Sequence, residues 1–244
     1  NLTWEKVKKT NVGLELGLWN SVELQVDWFK EHRYDIFMQR NTIPTAAGFM
    51  KTPWANFGKV DNSGVEISLT GHKQLNDDWY VGFRGTFTYA KNKIIEQDEA
   101  PGVIGTERQR TGKPVGQLFG LVAERLFTEE DFENVEQGIL KEEIPSHTFT
   151  SKIRPGDIKY VDIDGDGAIT TLDEKAIGGT YDPQIVYGIG ANASYKNVDI
   201  NVFFQGNGRT WRFIGGSGFL PGSTMGGTYN IRDNYQDRWT PENP

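Results

Sequence analysis

One segment of the sequence spaces its carboxylates as a metal-binding loop would. Aspartates stand at positions 1, 3 and 5 of the twelve-residue stretch 162–173, with Gly167 at position 6 and another aspartate at position 12. This is the spacing of an EF-hand-like loop, in which the sharp turn at glycine lets carboxylates converge on a Ca²⁺ ion that prefers six to eight oxygen ligands. The pattern predicts one Ca²⁺ bound by Asp162, Asp164, Asp166, the carbonyl of Ala168, Thr170 (directly or through water) and Asp173.

The flanks of this stretch, here called the Asp loop, favour a structural ion. Position 12 is Asp173, where EF-hand loops commonly have a longer bidentate Glu, but dockerin-like loops also use Asp there. Residues 157–161 and 175–178 look extended, without the long amphipathic helices of a calcium sensor. Oxygen ligands without nearby His or Cys favour Ca²⁺ over zinc or copper. The alternative is an acidic turn that binds no metal.

The rest of the sequence offers little catalytic chemistry. Cysteine is absent, and His32, His72 and His147 are far apart, without the spacing of a metal site. A dinucleotide-like glycine pattern at 188–193 lies inside a predicted strand and not at a strand-to-helix turn. The formal net charge of -7 argues against nucleic acid. We therefore predict no catalytic or cofactor-binding residues and expect that the chain is not an enzyme.

Alternation of apolar and polar residues is the strongest structural signal, and it predicts an all-β protein. Short polar links, near 20, 75–78 and 196–197, join strands in pairs, whereas the connections at about 42–58, 97–112 and 126–183 are long. Short turns alternating with long loops are typical of an outer-membrane β-barrel with long extracellular loops. About seven long strands are expected, at 10–19, 21–40, 59–74, 79–96, 112–125, 184–196 and 198–214.

A transmembrane barrel and a soluble β-sandwich both explain the alternation. The segments 21–40 and 79–96 exceed the five or six residues of an average soluble strand, which favours the barrel. Aromatic residues near the short links fit an interfacial girdle: Trp19, Trp28, Trp79, Tyr80 and Tyr195. Seven strands are fewer than the eight of the smallest single-chain barrel, so an open segment of a larger barrel is expected. The alternative is a soluble, calcium-stabilised, carbohydrate-binding β-sandwich, and a glycosidase is a more distant one.

Several blocks resemble, in family order, the SusC/RagA type of TonB-dependent outer-membrane transporter. The resemblance covers almost the whole chain and says nothing about the individual member. The blocks are Trp4-Glu5-Lys6 with Asn11-Val12-Gly13-Leu14-Glu15, the stretch Asn56–Glu66, Gly112-Lys113-Pro114-Val115-Gly116 with Phe119-Gly120, Gly156–Tyr160 running into the Asp loop, Ile177-Gly178, Asp182-Pro183 and Phe203–Gly206.

The resemblance implies that residues 1–244 are one segment of a large, plugged β-barrel in the bacterial outer membrane, with 126–183 as a loop excursion. It implies nutrient import, of oligosaccharides or peptides, driven through the TonB complex by an N-terminal part that is missing from this sequence. The expected partners are a SusD-like surface lipoprotein, a glycan or peptide substrate and outer-membrane lipid. No substrate-contacting residue can be assigned from the resemblance.

Overall fold

The computed structural model describes residues 2–40, 42–43, 47–147, 149–215, 219 and 233–240. Parts of the expected loops at 42–58 and 126–183, namely residues 44–46 and residue 148, lie outside this description. Within the described residues, no helix has the length and apolar character needed to span a membrane. Short 3₁₀ segments lie at Glu129–Asp131, Thr171–Asp173 and Asp233–Asp237.

Six long strands carry most of the regular structure. They are β1 (Lys6–Leu18), β2 (Val22–Gln39), β3 (Trp54–Gln74), β4 (Trp79–Glu96), β13 (Ile185–Tyr195) and β14 (Val198–Gly208). Between β4 and β13 lie eight short strands: β5 (Gln117–Gly120), β6 (Ala123–Leu126), β7 (Phe132–Asn134), β8 (Ile139–Leu140), β9 (Ser146–His147), β10 (Ile158–Tyr160), β11 (Ala168–Ile169) and β12 (Lys175–Thr180). The predicted all-β, antiparallel fold class is confirmed.

The long strands form one antiparallel sheet in the order β1-β2-β3-β4-β13-β14. Trp19 and Asn20 both have positive φ, at 53° and 51°, as the tight turn between β1 and β2 requires. In the part of the chain that the structure describes, β1 and β14 each pair with a single strand, so the sheet is open. This agrees with the expectation of a segment that other strands complete.

The predicted strand at 112–125 is wrong. Gly112 and Gly116 have positive φ, at 92° and 76°, and Pro114 between them has no N–H to donate, so the stretch cannot form a continuous ladder. Residues 112–113 exchange two backbone hydrogen bonds with Ile94, at 2.8 and 2.9 Å, and only the short β5 and β6 follow. The last predicted strand ends early, at Gly208, because Arg209 has a φ of 51°.

The register places one set of alternating apolar residues from each of the six strands on the same face of the sheet. Leu14 lies opposite Val26, which lies opposite Ile67, which in turn lies opposite Phe87. Side chains directly opposite in an antiparallel ladder point to the same side. The apolar face comprises Val12, Leu14, Leu16 and Leu18 of β1; Val22, Leu24, Val26 and Trp28 of β2; Val65, Ile67 and Leu69 of β3; Trp79, Val81, Phe83, Phe87 and Tyr89 of β4; Ile185, Tyr187, Ile189, Ala191, Ala193 and Tyr195 of β13; and Val198, Ile200, Val202 and Phe204 of β14.

The apolar face is open and not packed as a soluble core. Phe83 is 46% exposed and Phe204 is 68% exposed, although both lie in the middle of long strands. In a soluble sandwich such side chains would pack against a second sheet. The exposure contradicts the β-sandwich alternative and matches the face that a barrel turns to lipid.

The height of the apolar face fits a membrane. It extends from the pair Trp79 and Tyr195, whose rings lie 4.6 Å apart, to the level of Tyr89. Ten residues along β4 span roughly 33 Å at a strand rise of about 3.3 Å. A tilt of about 40° reduces this to the roughly 25 Å of an outer-membrane apolar band. Trp28 lies at the Tyr89 border and not beside the short turns, so it belongs to the aromatic residues of the opposite border of the apolar face.

A second compact unit is built from Phe119–Ile177 and Arg212–Pro244, while the sheet belongs to the first unit, Asn1–Leu118 and Gly178–Trp211. The second unit has a small buried core of Phe127, Phe132 and Ile153, against which Leu140 and Ile144 pack. The Asp loop lies in this unit.

Candidate functional site

The Asp loop brings three of its predicted ligands together. The nearest carboxylate oxygens of Asp162, Asp164 and Asp166 lie within 4.8 Å of one another. One Ca²⁺ with ligand distances of about 2.4 Å can contact oxygens separated by up to about 5 Å. Gly165 and Gly167 have φ values of 76° and 84°, a conformation that glycine adopts without strain. The geometry therefore fits an ion at this point.

Backbone N–H groups of the loop hold the carboxylates in place. Both oxygens of Asp162 accept hydrogen bonds, from the N–H of Gly165 at 2.7 Å and of Gly167 at 2.8 Å. Partial desolvation, together with repulsion from Asp166, Asp173 and Asp162, raises the pKa of Asp164 against the opposing effect of a hydrogen bond from the N–H of Asp166. The trio is thus a repulsive cluster, which a cation would stabilise.

Asp173 occupies a different environment from the trio. Its side chain is fully buried, with 0% exposure. One oxygen accepts hydrogen bonds from the N–H of Ile163 at 2.8 Å and of Asp164 at 3.3 Å, and the other accepts from Thr170 at 2.7 Å. These bonds tie the two ends of the loop together. The calcium-ligand role of Asp173 stays a prediction.

The remaining predicted ligands lie in ordered backbone. Thr170 Oγ1 accepts a hydrogen bond from the N–H of Leu172 at 3.0 Å. Ala168 lies on β11, which pairs in parallel with β9, so that Ile169 lies opposite His147. Ile169 is 3% exposed, as the position-8 residue of such a loop should be. The Asp loop is therefore attached to β9 through the pairing of Ala168 and Ile169.

Two features of the second unit were missed by reasoning from the sequence. Arg125 donates to both oxygens of buried Asp131, at 2.6 and 2.5 Å, and the N–H of Thr128 donates to the same carboxylate at 2.9 Å. His147 packs against the rings of Phe127, Phe149 and Tyr160, so it is not a scattered surface histidine. The Thr-x-x-Asp spacing at 128–131 is that of a helix cap, which Thr128 and Asp131 form at the 3₁₀ segment Glu129–Asp131. Nothing in the sequence pairs Arg125 or His147 with its contacts.

The polar face of the sheet is rich in carboxylates on β1 to β3. A cavity of about 530 Å³ is lined there by Glu15, Glu23, Gln25, Ser68 and Thr70, among others. Asp27 lies directly opposite Glu66 in the next strand. Farther along the sheet, the guanidinium of Arg84 lies 5.0 Å from the ring centre of Phe203. Such a face suits a water-filled or protein-filled lumen and not lipid.

Comparison with known proteins identifies the class. The family model for the β-barrel of TonB-dependent receptor-like proteins matches residues 1–241. The chain belongs to this family, and the predicted outer-membrane location follows from that membership. Because the family consists of receptors and not enzymes, the expectation that the chain is not an enzyme is also confirmed.

Two curated relatives come from Formosa agariphila. TonB-dependent receptor P3 is 30% identical over 217 residues, which is 84% of this chain and 20% of the receptor. TonB-dependent receptor P26 is 27% identical over 260 residues, which is 100% of this chain and 24% of the receptor. The chain thus spans about a fifth to a quarter of the length of these relatives.

Solved structures share the fold. A structure described as the RagAB peptide transporter matches with a TM-score of 0.57 and 20% identity, covering 83% of this chain and 21% of the other. The RagAB peptide importer in its open-open state matches with a TM-score of 0.61 and 21% identity, covering 86% and 21%. The partial transmembrane barrel predicted from the sequence agrees with these neighbours.

Proposed function

We propose that the chain forms part of the barrel wall of a SusC/RagA-type TonB-dependent transporter that imports nutrients across the outer membrane. The observation that carries this proposal is the sheet, whose apolar face is exposed at membrane height while its opposite face is polar. A wall with these two faces separates lipid from a hydrophilic passage. Family membership supplies the energy source, since TonB-dependent receptors are defined by their coupling to TonB.

The proposed cargo is a peptide or an oligosaccharide. Likeness to the RagAB peptide importer supports the first, and the polar face, with its carboxylates, amides and hydroxyls, suits either. The proposed partners are a SusD-like surface lipoprotein and, through a part of the protein outside this sequence, the TonB complex.

Uptake by intact cells tests the transport proposal. Cells that express the full-length transporter, and cells deleted for it, are given labelled peptides and labelled oligosaccharides in separate assays. We expect the deletion to abolish uptake of one cargo class and a protonophore to have the same effect, since TonB draws on the proton gradient. Equal uptake of both classes in the two strains would disprove the proposal. Affinity purification of the transporter should recover a surface lipoprotein.

We also propose that the Asp loop binds one structural Ca²⁺. Support comes from the convergence of Asp162, Asp164 and Asp166 within 4.8 Å and from the left-handed glycines at positions 4 and 6. Calcium would supply positive charge to a repulsive trio and would rigidify the turn. Asp162, Asp164, Asp166, Thr170 and the Ala168 carbonyl would hold it, with Asp173 as the predicted sixth residue.

Calcium titration of the full-length transporter tests the metal proposal. We expect Ca²⁺ to slow proteolysis within 162–173, and Asp164→Ala to remove most of that protection while leaving the barrel intact. Glu130→Ala is the matched control, because Glu130 is an exposed carboxylate of the same unit outside the Asp loop. If wild type and Asp164→Ala respond identically to Ca²⁺, the Asp loop is an acidic turn and not a metal site.

A further inference from the structure

Cationic side chains cluster just beyond one border of the apolar face. Trp28, Val65 and Tyr89 form the last apolar row at the end of the sheet that carries the long connections. One pleat farther, the same side of the sheet presents Lys30 and Lys91, which both lie opposite Ser63. Lys93 follows one more pleat along β4. The register therefore places three exposed lysines on the same side of the sheet as the apolar face, just beyond its last row.

Arg209 joins this group from the neighbouring end of β14. Its Nη1 donates to the hydroxyl of Tyr89 at 3.3 Å, and its guanidinium lies 5.5 Å from the Tyr89 ring centre. Tyr89 belongs to the apolar face, so Arg209 lies at the same border. We call Lys30, Lys91, Lys93 and Arg209 the basic patch. Among the described residues, none of the four forms an ion pair.

A cavity opens beside the basic patch. It has a volume of about 370 Å³ and is lined by Lys91, Lys93, Gln184 and the half-exposed Trp211, among others. The indole of Trp211 covers the backbone of Gly178 and Gly179, where a Cβ atom would come within 2.5 Å of the ring. A polar cavity with lysines and an interfacial tryptophan can take a charged headgroup whose tails lie along the apolar face.

Local acidic groups do not neutralise the basic patch. Asp61, whose carboxylate contacts His32 Nδ1 at 2.5 Å, lies opposite Lys93, so one negative charge offsets part of the four positive ones and the patch stays net positive. The opposite border differs, because there Lys196 lies 3.8 Å from Asp78, with Asp77 next to it in the chain. Among the described residues, the border with the long connections thus carries the four cationic side chains of the basic patch without an ion pair, whereas the opposite border has Lys73 without an ion pair and Lys196 near Asp78.

We propose that the basic patch binds the phosphate groups of phosphorylated glycolipid in the outer leaflet of the outer membrane. Lysine and arginine at a membrane border attract anionic headgroups at short range, each by about 1 kcal/mol, which corresponds to roughly fivefold in affinity. The apolar face below holds the acyl chains, and Tyr89 and Trp211 lie at headgroup level, as interfacial aromatics do. The proposal depends on the outer-membrane location and not on the transported cargo.

The test measures lipid binding to the full-length transporter in phosphatidylcholine nanodiscs, with EDTA in every sample to remove bridging divalent cations. The probes are diphosphorylated lipid A, the same lipid after enzymatic removal of its phosphates, and inorganic phosphate. Lys91→Gln with Lys93→Gln removes two charges from the basic patch. Lys73→Gln with Lys196→Gln removes two charges from the opposite border and is the matched control. Native mass spectrometry gives the bound fraction of each lipid.

We expect the diphosphorylated lipid to bind wild type and the control equally, and the Lys91/Lys93 variant at least about tenfold more weakly. Binding to wild type should weaken as salt is raised, which separates electrostatic recognition from any loss of fold in a variant. Three results would overturn the proposal: unchanged affinity in the Lys91/Lys93 variant, equal binding of the dephosphorylated lipid, or displacement by equimolar inorganic phosphate, which would indicate a site for free anions.

Discussion

The two compact units of this chain are stabilised in opposite ways. In the sheet, large apolar side chains such as Phe204 are exposed along one face, and the strands are held by continuous backbone ladders. In the unit of Phe119–Ile177 and Arg212–Pro244, the strands that lie wholly inside it are two to four residues long, and a small apolar core is buried, with Phe127 at 1% exposure. The first arrangement suits lipid as solvent, and the second suits water.

The two units therefore derive their stability from different interactions. Burial of apolar area from water, at about 25 cal/mol per Å², acts on the second unit and hardly on the open face of the sheet. Lipid tails are themselves apolar, so the sheet depends on satisfying every backbone group by strand pairing. The same type of substitution should therefore have different effects in the two units.

The largest expected effect is at the buried core of the second unit. Phe127→Ala should lower the free energy of unfolding of that unit by about 3–5 kcal/mol, because it removes a fully buried ring and leaves a cavity. Hydrogen exchange of the full-length transporter in detergent, followed over residues 119–177, measures the change. Phe204→Ala is the control, since its ring contacts lipid or detergent, and it should change exchange in β14 much less. Equal effects would contradict the comparison.

The next effect should separate the two faces of the sheet. Phe204→Arg places a charge on the apolar face near the middle of its height and should destabilise the folded barrel by about 2–4 kcal/mol. Gln205→Arg places the same charge on the polar face and should change the stability of the folded barrel little. The two residues are neighbours on β14, so strand propensity and register are matched. Urea-induced unfolding in lipid vesicles measures both variants, and a larger loss for Gln205→Arg would reverse the assignment of the faces.

Much of the sheet could be predicted from the sequence, because strict alternation fixes both the strands and their faces. The alternation predicts that Leu24, Val26 and Trp28 share one side of β2, and the register confirms that they lie on the apolar face. The strand prediction failed where the backbone conformation of glycine and proline overrides the alternation of apolar and polar residues. The stretch 112–125 has suitable residues for a strand, but two left-handed glycines on either side of Pro114 end the ladder.

The Asp loop was predictable for a similar reason, since its ligands are encoded by spacing within one turn. The convergence of Asp162, Asp164 and Asp166 followed from that spacing, and so did the burial of Ile169. The hydrogen bonds that occupy both oxygens of Asp173, and the pairing of β9 with β11, depend on tertiary folding and leave no local signal. Arg125 with Asp131 is a further contact of this kind.

A pH-dependent loss of stability is expected in the second unit. Hydrogen bonds from Arg125, which outweigh the effect of burial, hold the pKa of Asp131 far below its usual range. A depressed folded pKa stabilises the folded state above the unfolded value of about 3.9, and this contribution is lost as pH falls below it. The protection of amides 125–131, that is, their exchange relative to the intrinsic rate at each pH, should fall between about pH 5 and pH 3. Asp131→Asn should be less stable at pH 7 and should lose this pH dependence.

The smallest effect should come from His147, whose pKa is lowered by burial against the opposing effect of Asp157. Both ring nitrogens are buried and lack a hydrogen-bond partner among the described residues, so protonation in place is unfavourable. Because the unfolded chain takes up a proton near pH 6.5 and the folded one does not, the second unit should lose stability as pH falls from 7.5 to 5.5. His147→Phe keeps an aromatic ring beside Phe127, Phe149 and Tyr160 but cannot titrate. The protection of amides 146–169 relative to their intrinsic exchange rate should therefore become flat across this range. A slope that persists in His147→Phe would assign the pH dependence to another group.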